Sequence, residues 1–377
     1  MNLALLIGRF PPGVFGGAEF QAEQWARRLA GRHRVVVVTR RNTRTDGAVE
    51  ARDGFAIHRL PVARVPLLRT ALDLGRIERT VREASPRPQL TLCFQTFVSG
   101  YAGVRIQRRL GIPAVVWVRG EDEYRIERPR TGRISVPVWD EASGVLVQSE
   151  SNRERVLEAV TRFRPAAEPR VAAKLEVVPN GIDLPDPALL ASAMDGAGAA
   201  SAARGRILAV GRLIHDKGMD VVVDAVAGMQ GLLTVAGEGP ERARLEERAR
   251  RHGLDARFEG AVPRERLDTL YRTSRCVVLA SRRGEGLPNV LIEAFACGRA
   301  VVATRVNGVT DLIRDGVNGL LVPPGDPLAL RDALARLAHE RGLAARLGAA
   351  ARETAEAFAW ERVTPRLEAC LERWASA

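Results

Sequence analysis

The stretch Arg206-Ile207-Leu208-Ala209-Val210-Gly211-Arg212-Leu213-Ile214-His215-Asp216-Lys217-Gly218 decides how the chain is built. A short aliphatic run that ends in glycine, then gives way to paired cations and an amphipathic pattern, reads as a first strand and the turn into a first helix of an α/β domain. The chain already opens on such a strand, Leu3–Ile7. A pattern that starts twice predicts two domains in tandem, and 377 residues suit that reading, because single cores stop growing below such a length.

Upstream of the restart, strands are expected at Leu3–Ile7, Arg34–Thr39, Phe55–Leu60, Leu90–Phe94, Ala114–Val118 and Gly144–Gln148. Amphipathic stretches separate them, such as Ala18–Ala30 with Phe20, Trp25 and Leu29 on one stripe. A strand and turn over Glu176–Asp183 close this half. Residues 184–205, rich in Ala, Gly and Ser from Ala188 to Arg204, read as a linker. Downstream, strands are expected at Leu232–Ala236, Ala256–Glu259, Cys276–Ala280, Ala300–Ala303 and Gly319–Val322, and helices at about Met219–Gly228, Glu241–His252, Pro263–Thr273, Asn289–Cys297 and Val309–Arg314. The predicted organisation is a doubly wound, parallel-sheet α/β domain over 1–183, the linker, a second such domain over 206–355, and a helical tail over 356–377 expected to pack back on the first domain. Ligands of such sheets bind at the carboxyl ends of the strands, so a cleft between facing domains is the expected site.

Composition excludes several classes. Hydrophobic residues make up 46% and charged residues 27%, which is ordinary globular usage and not that of a disordered chain. No stretch reaches the roughly 18 apolar residues of a membrane span. The start lacks a basic leader, so a cytoplasmic protein is expected. Cys93, Cys276, Cys297 and Cys370 lie far apart without histidines at ligand spacing, which argues against a zinc site or a disulfide framework. The net charge is +12 and uneven: residues 1–183 carry 30 basic against 20 acidic side chains, and the remainder 27 against 25. That field favours acidic partners such as anionic lipid or phosphorylated substrates. Only two of the 57 basic residues, Lys174 and Lys217, are lysine, so a lysine here is informative.

Arg212 and Lys217, at a strand end before a helix, form a natural cation pair for a diphosphate, with a solvated turn as the plain alternative. In Glu285-Gly286-Leu287-Pro288-Asn289-Val290-Leu291-Ile292-Glu293, Pro288 suits a first helical turn and Gly286 lets backbone approach a ligand. Glu293, one turn in from Asn289, is suited to accept from vicinal hydroxyls such as those of a ribose. Glu285, in the loop before the helix, would address another part of the same ligand.

Together, Gly16-Gly17-Ala18-Glu19, Val178-Pro179-Asn180-Gly181-Ile182-Asp183, Val210-Gly211-Arg212 through Lys217-Gly218, Ala236-Gly237-Glu238-Gly239-Pro240 and Glu285 through Glu293 resemble the GT-B glycosyltransferases of family 4, and the match runs over nearly the whole chain. The resemblance implies the GT-B fold and a retaining hexosyltransferase without cofactor or metal, using a UDP-, GDP- or ADP-sugar. It implies that Arg212 and Lys217 hold the donor diphosphate, that Glu293 bonds the ribose hydroxyls and that Glu285 addresses the donor sugar and reaction centre. Leu287 and Asn289 would present backbone groups to phosphate and sugar, and Gly16 and Gly17 would form the glycine loop that closes over the diphosphate. Asn180 and Asp183 fall in a turn that is more structural than catalytic. His215, between Arg212 and Lys217, is a candidate donor contact with a solvated loop histidine as the plain alternative, and Val309-Thr310-Asp311 resembles the family's stretch that approaches the donor.

One position departs from the family pattern. Where many members carry a histidine, this chain has Arg119, three residues before Asp122. Arginine is no base at neutral pH, but it binds sugar hydroxyls or an anionic acceptor, so Arg119 and Asp122 are candidate sugar or acceptor contacts, with a surface arginine as the plain alternative. A catalytically impaired sugar-nucleotide binder is the alternative function. A nicotinamide oxidoreductase is disfavoured because Gly8-Arg9-Phe10-Pro11-Pro12, not GxGxxG, follows the first strand. Nucleic-acid binding is not expected, since no recognised module accompanies the charge. The expected partners are the donor and a hydroxyl acceptor, whether glycan, lipid-linked sugar or small molecule. An anionic membrane surface is a further expected partner, met at the inner face through Val62–Leu72.

Overall fold

The computed structural model describes residues 1–12, 16–42, 47–61, 69–119, 126, 128–186, 188, 190 and 205–376. Asp122, most of the expected linker and most of the expected membrane segment lie outside the described residues. The chain divides into two compact units, Met1–Asn180 with Val363–Ala377, and Gly181–Arg362.

The first unit holds an eight-stranded sheet: β1 (Asn2–Leu6), β2 (Arg34–Arg40), β3 (Val49–Arg52), β4 (Phe55–Leu60), β5 (Leu90–Phe94), β6 (Ala114–Trp117), β7 (Gly144–Val147) and β8 (Leu175–Val177), in the order β3-β4-β2-β1-β5-β6-β7-β8. Central strands β5, β6 and β7 are buried at every residue, which is why they read as continuous aliphatic runs with no alternation. Every pairing is parallel except β3 with β4, an edge hairpin that the strand reading does not anticipate. Its turn is Asp53-Gly54, with φ 49° and 84°, the two positive values that a two-residue turn between twisted strands requires. Helices Gly17–Ala30, Tyr101–Leu110, Pro129–Glu141 and Glu150–Phe163 cover the faces. Trp25, Trp117 and Phe94 meet in the core at centroid distances of 5.5 and 5.4 Å. The end of helix Trp360–Ala375 belongs to this unit, where Glu368 pairs with Arg32 at 3.0 Å.

The second unit has a wholly parallel sheet of β9 (Ile207–Val210), β10 (Leu233–Ala236), β11 (Ala256–Gly260), β12 (Cys276–Leu279), β13 (Ala300–Thr304) and β14 (Leu320–Val322), ordered β11-β10-β9-β12-β13-β14. The order reverses between β9 and β12, and crevices at such switch points receive ligands in open α/β sheets. One expectation fails here. Residues Val309–Arg314 form hydrogen-bonded turns, not a helix. The Asn318 side chain intercepts the backbone by accepting from the Arg314 N–H at 2.8 Å and donating to the Leu312 carbonyl at 2.9 Å, which competes with helical pairing.

Candidate functional site

The loop leaving β9 carries Gly211 and the exposed Arg212, then a 3₁₀ turn over His215–Lys217, then Gly218 and helix Met219–Ala225. Gly218 is required twice over. Its φ is 63°, and a Cβ there would lie 2.0 Å from the Ala280 carbonyl oxygen at the end of β12. This close approach brings the 3₁₀ turn against the loop after β12. Arg282 fastens the two: its guanidinium grips Asp220 through two bonds of 2.7 and 2.8 Å and donates to the His215 carbonyl at 2.8 Å, while its backbone N–H donates to the Asp216 carbonyl at 2.8 Å. Burial alone would raise the Asp220 carboxyl, but the Arg282 guanidinium outweighs it and holds the group below its usual range.

Fastened in this way, the turn delivers Lys217 to Glu285. The ammonium Nζ lies 2.5 Å from Glu285 Oε1, and the Ser281 hydroxyl donates to the same oxygen. Glu285 is only 8% exposed, so its charge is held by a short, largely dry ion pair. Ser281 is in turn fixed by Thr304, whose hydroxyl donates to its carbonyl at 2.6 Å. On the other side, Gly308, with φ 79°, leaves room for the Glu285 and Gly286 carbonyls. A Cβ would stand 2.1 Å from the first of them. The Glu285 N–H donates to the Asn307 carbonyl at 2.8 Å. Lys217 and Glu285, read from sequence as groups addressing different parts of one ligand, are thus joined.

Helix Asn289–Ala296 starts four residues on, with Pro288 as its N-cap and not inside the first turn. Leu287 is buried and Asn289 half-buried at this start. Glu293 lies on the buried side of the helix, 6% exposed, where Arg264 Nη1 donates to its Oε1 at 2.5 Å. Arg264 comes from helix Arg264–Arg272 and also meets Asp268 at 2.8 Å. Burial would lower the Arg264 guanidinium, yet the Glu293 and Asp268 carboxylates raise it above its usual value. His215, Thr310 and Asp311 are exposed.

In the first unit, Gly16 is the N-cap of helix Gly17–Ala30, extended at φ −141° and ψ 148°. A Cβ on Gly16 would stand 2.1 Å from Glu19 Oε2, so the glycine makes room for a carboxylate folded over the helix start, a favourable place for negative charge. Arg119 is no surface arginine. It is 1% exposed, its guanidinium carbon lies 4.5 Å from the Trp117 ring centroid and 5.2 Å from that of Phe94, and it donates to Asn180 Oδ1. Gln148 donates to the same oxygen at 2.6 Å. The residues that sequence reasoning missed are Ser281, Thr304, Arg282, Asp220 and Arg264. A serine just past a predicted strand was the only available signal among them. Among the described residues no group of three or more His, Cys, Asp or Glu side chains is placed to hold a metal ion.

Comparison with known proteins fits this geometry. Residues 15–185 match the family model Glycosyltransferase Family 4, and residues 199–354 match Glycosyl transferases group 1. The D-inositol 3-phosphate glycosyltransferase of Kribbella flavida is 38% identical over 208 residues, which take in 50% of this chain and 48% of that protein. The chain therefore spans about half the length of the curated relative it matches. Among solved structures, sucrose-phosphate synthase from Thermosynechococcus elongatus superposes over 100% of both chains with a TM-score of 0.83 at 23% identity. Anabaena HepE in complex with UDP and glucose does so over 99% of this chain and 100% of its own, with a TM-score of 0.81 at 20% identity. With one glycosyltransferase model matched on each side of the unit boundary and a GT-B fold in both structural neighbours, the chain belongs to the GT-B glycosyltransferases of the group 1, family 4 type.

Proposed function

We propose that this chain is a retaining, metal-independent hexosyltransferase that moves a sugar from a nucleotide diphosphate sugar to a hydroxyl group in glycan, polysaccharide or glycolipid synthesis. The observation that carries the proposal is the Lys217–Glu285 pair, fixed by Ser281 and Arg282 beside exposed Arg212 at the carboxyl ends of β9 and β12. As the bond from the anomeric carbon to the diphosphate breaks, negative charge grows on the leaving group and positive charge on the carbon. Preorganised cations and a helix start stabilise the first, and a carboxylate near the sugar favours the second. The acceptor oxygen forms its new bond on the face that the diphosphate leaves, and its proton passes to a diphosphate oxygen. Retention then needs no covalent enzyme intermediate. The HepE structure was solved with UDP and glucose, which favours a UDP-sugar among the three donor classes. Glu293 serves the ribose, and Leu287 and Asn289 offer backbone groups at the helix start.

A second reading, a sugar-nucleotide binder without transfer, is favoured by one observation: the arginine that stands where many relatives carry histidine is packed on Trp117 and Phe94. One experiment separates the two. The chain is melted with UDP-, GDP- and ADP-glucose, and the donor that raises its stability by mass action is incubated with hydroxyl acceptors while nucleoside diphosphate release is followed. Stabilisation with acceptor-dependent release is expected. Stabilisation without release under any acceptor supports the binder, and no stabilisation by any donor overturns the proposal.

A further inference from the structure

We infer that Arg264 is a positioning residue for donor recognition: it holds the Glu293 carboxylate so that its remaining lone pairs accept the two vicinal hydroxyls of the donor ribose. The inference rests on the functional reading above and adds to it a residue that no motif marks.

The neighbours of Glu293 on helix Asn289–Ala296 are apolar and buried: Leu291, Ile292, Ala294 and Phe295 are at most 1% exposed. A carboxylate in that setting is costly unless an opposite charge meets it. The charge comes from a different helix. Arg264 Nη1 reaches Glu293 Oε1 at 2.5 Å, and Arg264 Nε lies 2.8 Å from Asp268 Oδ1, one turn further along the arginine's own helix. Two carboxylates on two edges of a planar guanidinium define its orientation, which a lysine ammonium in the same place would not. The wholly buried Tyr271 lies beside them, its phenol raised well above the usual value by burial and by the Glu293 charge. A carboxylate has about four acceptor positions. The arginine occupies one of them on Oε1 and the Tyr271 hydroxyl takes a second, so two hydroxyl donors can still be received, and the carboxylate is preorganised for them. The arrangement is that of a supporting side chain that fixes the group in contact with the ligand.

Two other roles make different predictions. If Arg264 only neutralises a buried charge, its loss changes stability and leaves ligand discrimination alone. If its guanidinium occupies the place of the ribose, its loss tightens nucleotide binding.

The test is equilibrium titration of the full chain with UDP, GDP and ADP and with the matching 2′,3′-dideoxynucleoside diphosphates. The wild type is expected to prefer the ribose form of its nucleotide by about tenfold or more, as hydrogen bonds to a charged acceptor allow. Arg264→Met should lose that preference while binding the dideoxy form as the wild type does, and Arg264→Lys should keep part of it. Should Arg264→Met not fold, Asp268→Asn, which releases the far edge of the guanidinium, should weaken the preference in the same direction. A variant that folds and keeps the wild-type ratio, or that binds the ribose form more tightly, overturns the inference. A wild type that binds its nucleotide without a ribose preference overturns the inference and the ribose role of Glu293, and leaves the transferase reading standing. A wild type that binds none of the three nucleotides overturns the functional reading and the inference with it.

Discussion

Three cations of the first unit and three of the second meet different partners. In the first, Arg59, Arg119 and Lys174 reach backbone carbonyls or aromatic rings, and Arg59 also meets Glu50 at 3.2 Å. Arg59, 3% exposed, donates to the Phe10 and Pro11 carbonyls at 3.1 and 2.5 Å, Asn42 adds bonds to Phe10 and Pro12 at 2.9 and 3.1 Å, and Arg119 lies on Trp117 and Phe94. Lys174 ends helix Pro129–Glu141 by donating to the Asp140 and Ala142 carbonyls at 2.6 Å each. In the second unit the cations at the strand ends face carboxylates: Lys217 with Glu285, Arg282 with Asp220, and Arg264 with Glu293. A cation on a carbonyl holds a loop or a helix end. Of these three, Lys217 can exchange its carboxylate for an anionic ligand, whereas Arg282 and Arg264 hold theirs in place. The two lysines, one on carbonyls and one on a carboxylate, differ in the chemistry of their partners, so rarity in the composition does not by itself mark a site.

Variants sharpen this contrast. The largest effect on stability is expected at Arg59, whose buried guanidinium donates to the Phe10 and Pro11 carbonyls and to Glu50, with Asn42 and Arg52 as the remaining donors once it is gone. Arg59→Leu should cost about 2 kcal/mol in denaturant titration, as losing hydrogen bonds from a charged donor does, with donor affinity preserved at temperatures where the chain stays folded. A smaller effect is expected at the Arg282–Asp220 clamp. The Asp220 carboxyl is held below its ordinary value of 3.8, so its contribution is complete above that pH and is lost as pH falls through the lower folded value. Wild type should therefore exceed Asp220→Asn by about 1 kcal/mol at neutral pH, and the gap should close below pH 4. A gap that persists unchanged into acid would show that the clamp is not ionic.

Much of the fold was legible because the central strands are buried on both faces and so read as uninterrupted aliphatic runs. The Val49–Arg52 edge strand was not, since half its side chains are solvent-exposed and carry no apolar pattern, although Asp53-Gly54 was a turn signal in plain view. The Val309–Arg314 stretch has a helical apolar pattern that the Asn318 side chain overrides from outside it. At the candidate site, Arg212, Lys217, Glu285 and Glu293 stand out through local spacing. Their partners do not, because Lys217 and Glu285 are 68 residues apart and Arg264 and Glu293 are 29 apart. Among so many arginines, Arg264 carried no signal of its own, and neither did Arg282.

The most direct measurement is a calorimetric titration of UDP, GDP and ADP into wild type, Lys217→Ala and Lys174→Ala, with the melting temperature of each recorded. If Lys217 grips the donor diphosphate, one nucleotide binds the wild type, its affinity falls by about tenfold or more in Lys217→Ala, and Lys174→Ala binds it normally while melting earlier. Equal affinity in wild type and Lys217→Ala would contradict the account.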